Sequence, residues 1–287
     1  MILEKLQARQ GFSKTENAIA DWLLAHGDEV RNSPIDMLAE ASGSSPATIV
    51  RLCRKIGVSG YREFRITFNA EIERAMRTVA VDANMPFSRD DSREQVAWKL
   101  GNLVANAINR AISGFDFRDI DRVVEWLVSA DEVNVFTVGT SVPAGLDFKT
   151  KLMRIGKQIN IDQDAFLQRG YAISASHKSC NLLISQSGET PMIVDYARIL
   201  RSRGCHTVAI TSNIESRLSR MCNVVISTNT CESDSFSSKL ETFASFDATH
   251  FILDCLYCWI FQADYDTNTL HAREAQELLT RFTSDAR

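Results

Sequence analysis

Residues 182–191 read Leu-Leu-Ile-Ser-Gln-Ser-Gly-Glu-Thr-Pro. The apolar run from Leu182 breaks at Ser185 into hydroxyl-bearing residues, a glycine and then Pro191. A buried strand that ends in a loop and re-enters as a helix reads this way, because proline is well placed at the first helical position. Two further segments follow the same plan. Thr137-Val-Gly-Thr-Ser141 ends the apolar run Val133–Val138, and Thr211-Ser212-Asn213 ends the run Thr207–Thr211. Two shorter runs, Gln158–Ile161 and Val224–Ser227, stand between or beside helical patterns. Short apolar runs alternating with helices predict βαβ units, and hence an open parallel sheet flanked by helices.

The strand ends also carry chemistry. In an open parallel sheet, ligands settle outside the carboxyl ends of the strands. Helix N-termini there present free N–H groups and the positive end of a dipole, which suits an anion. Ser141, Ser187 and Thr190 add hydroxyls without charge, and Gly188 lets the backbone approach closely. That set fits a phosphate monoester, and Thr140, Ser185 and Gln186 lie in the same loops. No Walker lysine follows, which argues against a nucleoside triphosphate. Asp162 stands where a dinucleotide's ribose partner would, but Thr137 and Val142 occupy two of the three glycine positions that such a site needs.

Upstream of these runs the chain is different. Two helical stretches are expected at about 92–112 and 117–129, and residues 79–93 are polar and irregular. Residues 1–77 read as all helix. Ser13-Lys-Thr-Glu16 has the form of a capping box. Ser33-Pro34 and Ser45-Pro46 are read as two further helix starts. Ile49, Leu52, Cys53 and Ile56 recur at helical spacing and leave Thr48, Arg51 and Lys55 on the opposite face, with Arg54 alongside. Gly43 lies in the tight turn before this helix and Gly57 ends it. Such a helix fits the major groove, where its exposed N-terminal residues reach base edges. The spacing of Ala39, Gly43 and Ile49 resembles that of helix-turn-helix proteins. The candidate DNA-contacting set is Ser44, Ser45, Thr48, Arg51, Arg54, Lys55, Tyr61 and Arg62.

Charge agrees. The whole chain carries −4, yet Pro46–Arg65 holds five basic residues against Glu63 alone, a local +4 that leaves −8 for the rest. That is a confined footprint for a polyanion. At 287 residues and roughly 100–200 residues per domain, two domains are expected: 1–77, a connector at 78–91, and 92–287. Seven scattered cysteines make no disulfide framework. The N-terminus has no signal-peptide pattern, and no apolar run approaches the roughly 20 residues of a membrane span. A cytoplasmic protein without membrane contact is expected. Toward the C-terminus a long apolar helix is expected from about Ser238 to Gln262, then a short amphipathic one near 269–282. Cys255 and Cys258 are read as core packing, and His177, His206 and His250 show no metal-ligand spacing. No metal, cofactor or catalytic residue is assigned.

Taken together the chain resembles the RpiR family of transcription regulators. The first 76 residues, with Arg51-Leu-Cys-Arg-Lys-Ile-Gly57 and Gly60-Tyr61-Arg-Glu-Phe64, look like its helix-turn-helix domain. Residues 131–265 look like a sugar isomerase (SIS) domain, whose phosphate loop Ser185-Gln-Ser-Gly-Glu-Thr190 matches. The resemblance implies that Ser185, Ser187 and Thr190 hold the phosphate, that Ser141 contributes, and that Glu232 lies near the sugar hydroxyls. Thr137 departs from the first glycine of the usual Gly-x-Gly-x-Ser, and Lys239 stands where these regulators often have arginine. The function implied is regulation of sugar-metabolism genes by an operator-binding homodimer, or dimer of dimers, whose effector is a phosphorylated sugar. A phosphosugar isomerase with Glu232 as general base, and a binding module that uses its first domain for protein contacts, are the alternatives.

Overall fold

The computed structural model describes residues 1–78, 81–233, 235 and 237–284. They form two compact units, Met1–Ala80 and Val81–Arg287, so the connector expected at 78–91 falls partly outside the described residues. From Val81 on, this segment belongs to the second unit, and Val81 and Ala83 pack against that unit's core.

The first unit is helical: α1 (Ile2–Ala8), α2 (Lys14–Ala25), a 3-10 turn, α3 (Ile35–Ala41), α4 (Pro46–Lys55) and α5 (Tyr61–Thr78). One core joins them. Ile19 and Leu23 of α2, Leu38 of α3, Ile49 and Leu52 of α4, and the stacked pair Phe64–Phe68 of α5 are almost wholly buried. Each such side chain contributes about 1.5–3 kcal/mol.

The capping box of α2 forms as expected: Ser13 Oγ accepts from Glu16 N and the Glu16 carboxylate accepts from Ser13 N. Ser45 caps α4, its Oγ accepting from Thr48 N. Ser33 does not cap. Its hydroxyl turns back to donate to Glu29 O at 2.5 Å, and α3 starts after Pro34 instead.

Between α3 and α4 the chain turns through Ser42–Ser45. Gly43 has φ +61°, a conformation that side chains resist. Gly43 N donates to Glu40 O and Ser44 N to Ala39 O, the paired bonds of a Schellman ending. The last turn of α4 closes the same way, with Val58 N donating to Cys53 O.

In the second unit α6 (Arg93–Ser113) and α7 (Phe117–Ser129) lead into β1 (Glu132–Phe136), α8 (Val142–Met153), β2 (Ile159–Asn160), α9 (Ala165–Ser174), β3 (Ser179–Ile184), α10 (Pro191–Ser202), β4 (His206–Thr211), α11 (Arg217–Met221) and β5 (Val224–Ser227). The five strands are parallel, in the order β2-β1-β3-β4-β5. Alternate strand residues feed two cores. Val135, Leu182, Ile184, Val208 and Ile210 face α6, α7, α8 and α12 (Ala244–Ala263). Phe136, Leu183 and Ala209 face α9, α10 and α11. The result is the three-layer α/β arrangement expected. A buried side-chain ladder, Asn160 to Asn134 at 2.9 Å and Asn134 to Asn181 at 3.0 Å, ties β2, β1 and β3 in register, since a one-residue slip would leave its amides unpaired.

Two expectations shift at the C-terminus. The long apolar helix begins at Ala244 rather than near Ser238, and the last helix, α13 (Tyr265–Ser284), starts earlier than its amphipathic pattern suggested.

Candidate functional site

The strand order places the switch at β1/β3. From β1 the chain leaves through α8 toward β2 on one face; from β3 it leaves through α10 toward β4 on the other. Neighbouring loops therefore diverge, opening a crevice at the carboxyl ends of β1 and β3, which is where doubly wound sheets bind ligands. Residues 137–141 and 185–190 flank it.

The 185–190 loop is held from below. Gln186 O accepts from Ser212 N (3.0 Å), Ser212 Oγ (2.8 Å) and Thr211 Oγ1 (3.0 Å). Gly188 N donates to Ser185 O, Gly188 O accepts from Leu218 N, and Gly188 has φ +65°. A Cβ there would lie 2.0 Å from Ser216 Oγ, so only glycine fits. Ser185 Oγ and Thr190 Oγ1 are 2.8 Å apart, and Ser187 Oγ accepts from Glu189 N.

Glu189, the loop's one anion, turns aside. Arg217 N donates to Glu189 Oε1 at 2.8 Å, and the Arg217 guanidinium pairs with the same carboxylate. These contacts, the backbone N–H first, hold the carboxyl below its usual range.

The helix starts on the crevice differ from most of those elsewhere, although α3, which begins after Pro34, is also without a side-chain cap. Ser13, Ser45, Ser92, Asp116, Asp164 and Ser216 each cap a helix with a side-chain oxygen. Thr190 and Ser141, which precede α10 and α8, make no such bond. Pro191 has no N–H, so the backbone donors of Met192 and Ile193 in the first turn of α10 have no intrahelical acceptor. An oxyanion is the natural partner. Ser141 is half-buried and Thr140 exposed.

Thr137 is fully buried and clamped through its backbone by Gln168, which donates to Thr137 O at 2.8 Å and accepts from Thr137 N. Its hydroxyl has no partner among the described residues. Gln168 carried no signal in the sequence, since a lone glutamine on a helix usually faces solvent.

Glu232 sits beside the start of α12. Its carboxylate is buried and accepts from Phe243 N (2.9 Å), Ala244 N (2.5 Å) and Ser245 Oγ. It is the N-terminal anchor of α12, with three of its acceptor sites taken inside the protein. Phe243 cannot cap the helix by its own side chain, and an acid eleven positions upstream gives no local sign of doing so. Lys239 is buried as well.

On the first unit, Arg51, Arg54 and Arg62 are exposed and Thr48 is half-buried. Arg51 Nη2 donates to Thr48 Oγ1 at 3.1 Å, and Thr48 Oγ1 lies 3.0 Å from Ser45 Oγ. Ser45, Thr48 and Arg51 thus form one polar edge at the start of α4. Ser44 bonds to Ser42 Oγ in the preceding turn. Exposed Lys55 and half-buried Tyr61 also make bonds within the unit. Lys55 Nζ donates to Gly11 O (2.5 Å) and pairs with Glu16 Oε2 (2.8 Å). The Tyr61 hydroxyl donates to Ser33 O at 2.9 Å.

Away from both surfaces, Asp147, His250 and Asp254 bring their ligand atoms within 4.8 Å of one another. His250 and Asp254 lie one turn apart on α12, a spacing that the sequence offered and the reading of His250 passed over. Lys151 pairs with both carboxylates, so the cluster already holds a cation. All seven cysteines are free. Burial pushes the Cys53, Cys180 and Cys222 thiols up to about 12, while Cys258, expected in the core, is exposed. Among the described residues no helix is long and apolar enough to cross a membrane.

Residues 1–75 match the model of the helix-turn-helix domain of the rpiR family, and residues 127–251 match the SIS domain. Among solved structures, the chain is similar to the Vibrio vulnificus NanR protein complexed with ManNAc-6P. The TM-score is 0.60 at 22% identity, over 98% of this chain and 99% of that one. It is also similar to the sugar isomerase domain of an RpiR transcription factor from Sphaerobacter thermophilus. There the TM-score is 0.54 at 15% identity, over 64% of this chain and 99% of that one.

Proposed function

We propose, from the premise that this chain is an RpiR-family transcription regulator with a SIS sugar-phosphate-binding domain, that it binds its operator through the N-terminal edge of α4 and responds to a sugar phosphate seated in the β1/β3 crevice. The reading divides the chain at 1–77, 78–91 and 92–287 and takes it as a cytoplasmic homodimer, since helix-turn-helix readers commonly use paired half-sites. Arg51 and Arg54 face the bases or phosphates, with Thr48 and Ser45 beside them. Ser187, Thr190, Ser141, Ser185 and the open N–H groups of α10 receive the phosphate, with Gly188 permitting the approach and Thr140 and Gln186 at the rim.

One observation carries the effector half: both helices that start on the crevice, α8 and α10, do so without a side-chain cap and beside the hydroxyls of Ser141, Ser185, Ser187 and Thr190. An amino-sugar 6-phosphate is the first class to try, because the Vibrio vulnificus relative was solved with ManNAc-6P. Catalysis is not part of the proposal. An isomerase base must reach a substrate proton, and the Glu232 carboxylate is occupied by the start of α12.

The test is a mobility shift on the chain's own upstream DNA, with and without ManNAc-6P and other hexose 6-phosphates, alongside a turnover assay on the same sugars. Operator binding that changes with a sugar phosphate, without turnover, is expected. Arg51→Ala should weaken specific binding by about 1–3 kcal/mol. Turnover, or indifference of DNA binding to every sugar phosphate, would replace the reading.

A further inference from the structure

We infer that Gln186, Thr230 and Asn84 form a relay that links occupancy of the effector crevice to the segment of chain entering from the first unit. This rests on the sugar-phosphate reading for its trigger, while its mechanical part stands on bonds within the second unit. The backbone of Gln186 is pinned, its carbonyl accepting three donors. Its freedom therefore lies in its side chain, which donates from Nε2 to Thr230 Oγ1 at 2.6 Å, with Thr228 Oγ1 near the amide oxygen at 3.4 Å. A carboxamide on the rim of the crevice faces either these threonines or the hydroxyls of a bound sugar.

Thr230 continues into a short stretch bonded on all sides. Cys231 Sγ accepts from Arg110 of α6, and Glu232 anchors α12. The backbone N–H of Ser233 then donates to Asn84 Oδ1 at 2.6 Å, and that of Leu240 to Asn84 O at 2.8 Å. Asn84 follows Ala80, the last residue of the first unit, by four positions. Its own N–H is held by Asp82 Oδ1 at 2.9 Å. Both main-chain polar groups of Asn84 and its amide oxygen are thus engaged, two of the three by Ser233 and Leu240, which follow Thr230. A ligand that draws the Gln186 amide inward removes a tether at Thr230 and loosens the hold on Asn84. A ligand shifts an equilibrium by its differential affinity for the two states, and this contact is one place where those states differ.

The experiment uses the full chain, Thr230→Val, Thr230→Ser and Asn84→Ala, with ManNAc-6P and inorganic phosphate as probes. Calorimetry should give probe affinities within about threefold of wild type, and operator affinity without probe should move no more than that, since neither residue lies in either binding set. The ratio of operator affinities with and without probe should collapse at least fivefold in Thr230→Val and Asn84→Ala, and survive in Thr230→Ser, which keeps the hydroxyl. Coupling energies of allosteric proteins, at about 5–150-fold, make such a loss measurable. Without any probe, Thr230→Val should speed hydrogen exchange at the Ser233 and Leu240 amides severalfold. Unchanged exchange there, or intact coupling in both variants, overturns the relay. A wild type indifferent to both probes, with exchange coupled as expected, sinks the sugar-phosphate reading and leaves the mechanical link standing.

Discussion

The DNA-reading unit and the sheet edge of the second unit treat the same structural element in opposite ways. In the first unit three helix starts are closed by side chains, while α3 begins uncapped after Pro34: Ser13 and Ser45 cap α2 and α4, and Glu71 of α5 accepts from the N–H groups of Ile2 and Leu3 at the start of α1. At the β1/β3 crevice α8 and α10 start without side-chain caps. A cap satisfies orphan donors at once and adds to stability; an open start keeps them for a ligand and forgoes that stability until the ligand arrives. The difference separates a helix that presents its exposed side chains from one that presents its backbone.

The largest expected effect is on the loop that holds the open donors. Gly188→Ala should destabilise the second unit by about 2–5 kcal/mol, combining left-handed backbone strain with overpacking against Ser216. Chemical denaturation measures this, and a near-neutral result would mean that the loop relaxes freely and is no rigid cradle. Next is Ser187→Ala, which removes a hydroxyl from the proposed phosphate shell. Calorimetry should show effector affinity falling by about 1.5–3 kcal/mol per lost charge-assisted bond, tenfold to hundredfold, with operator affinity unchanged.

A matched pair of serines tests the comparison itself. Ser45→Ala should lower stability by about 1 kcal/mol through loss of a cap. Ser141→Ala should leave the unfolding free energy within a few tenths of a kcal/mol and weaken the effector instead, because the Ser141 side chain makes no cap bond to lose. Equal stability losses would erase the distinction drawn between the two regions.

The smallest effect is with pH. Lys55 and the Ser13 backbone hold the Glu16 carboxyl below its ordinary 4.5. A folded-state value below the unfolded one adds stability above about pH 4.5 and loses it as the medium becomes more acid. Denaturation of wild type at pH 6 and pH 3.5 should therefore show a drop that Glu16→Gln reduces. If the two respond alike, the pair with Lys55 is not what ties α2 to α4.

Legibility followed the range of the interactions. Ser45 as a cap, Gly43 as a corner and the Ile49/Leu52/Cys53/Ile56 stripe were readable because capping, turn conformation and helical periodicity act over four or five residues. The central strands were readable for a related reason, since a strand buried on both faces must be apolar wherever its partners lie, and the edge strands β2 and β5 still bury every second residue. Ser33 failed because two chemically equal outcomes, capping forward or bonding back to Glu29, compete within the same few residues.

By itself, then, the sequence determined a helical and an α/β unit, the order of their elements, the hydroxyl-rich loop at 185–190 and the basic edge of α4, all properties of local pattern and charge. The tertiary structure alone decided which polar groups remain available within those patterns. Glu232 is drawn under α12 across eleven residues, Lys55 is drawn to Glu16 across 39, and Gln168 folds under Thr137 across 31. A buried donor or acceptor must find a partner, and the partner found at such separations depends on how the helices pack, which no single stretch of chain encodes.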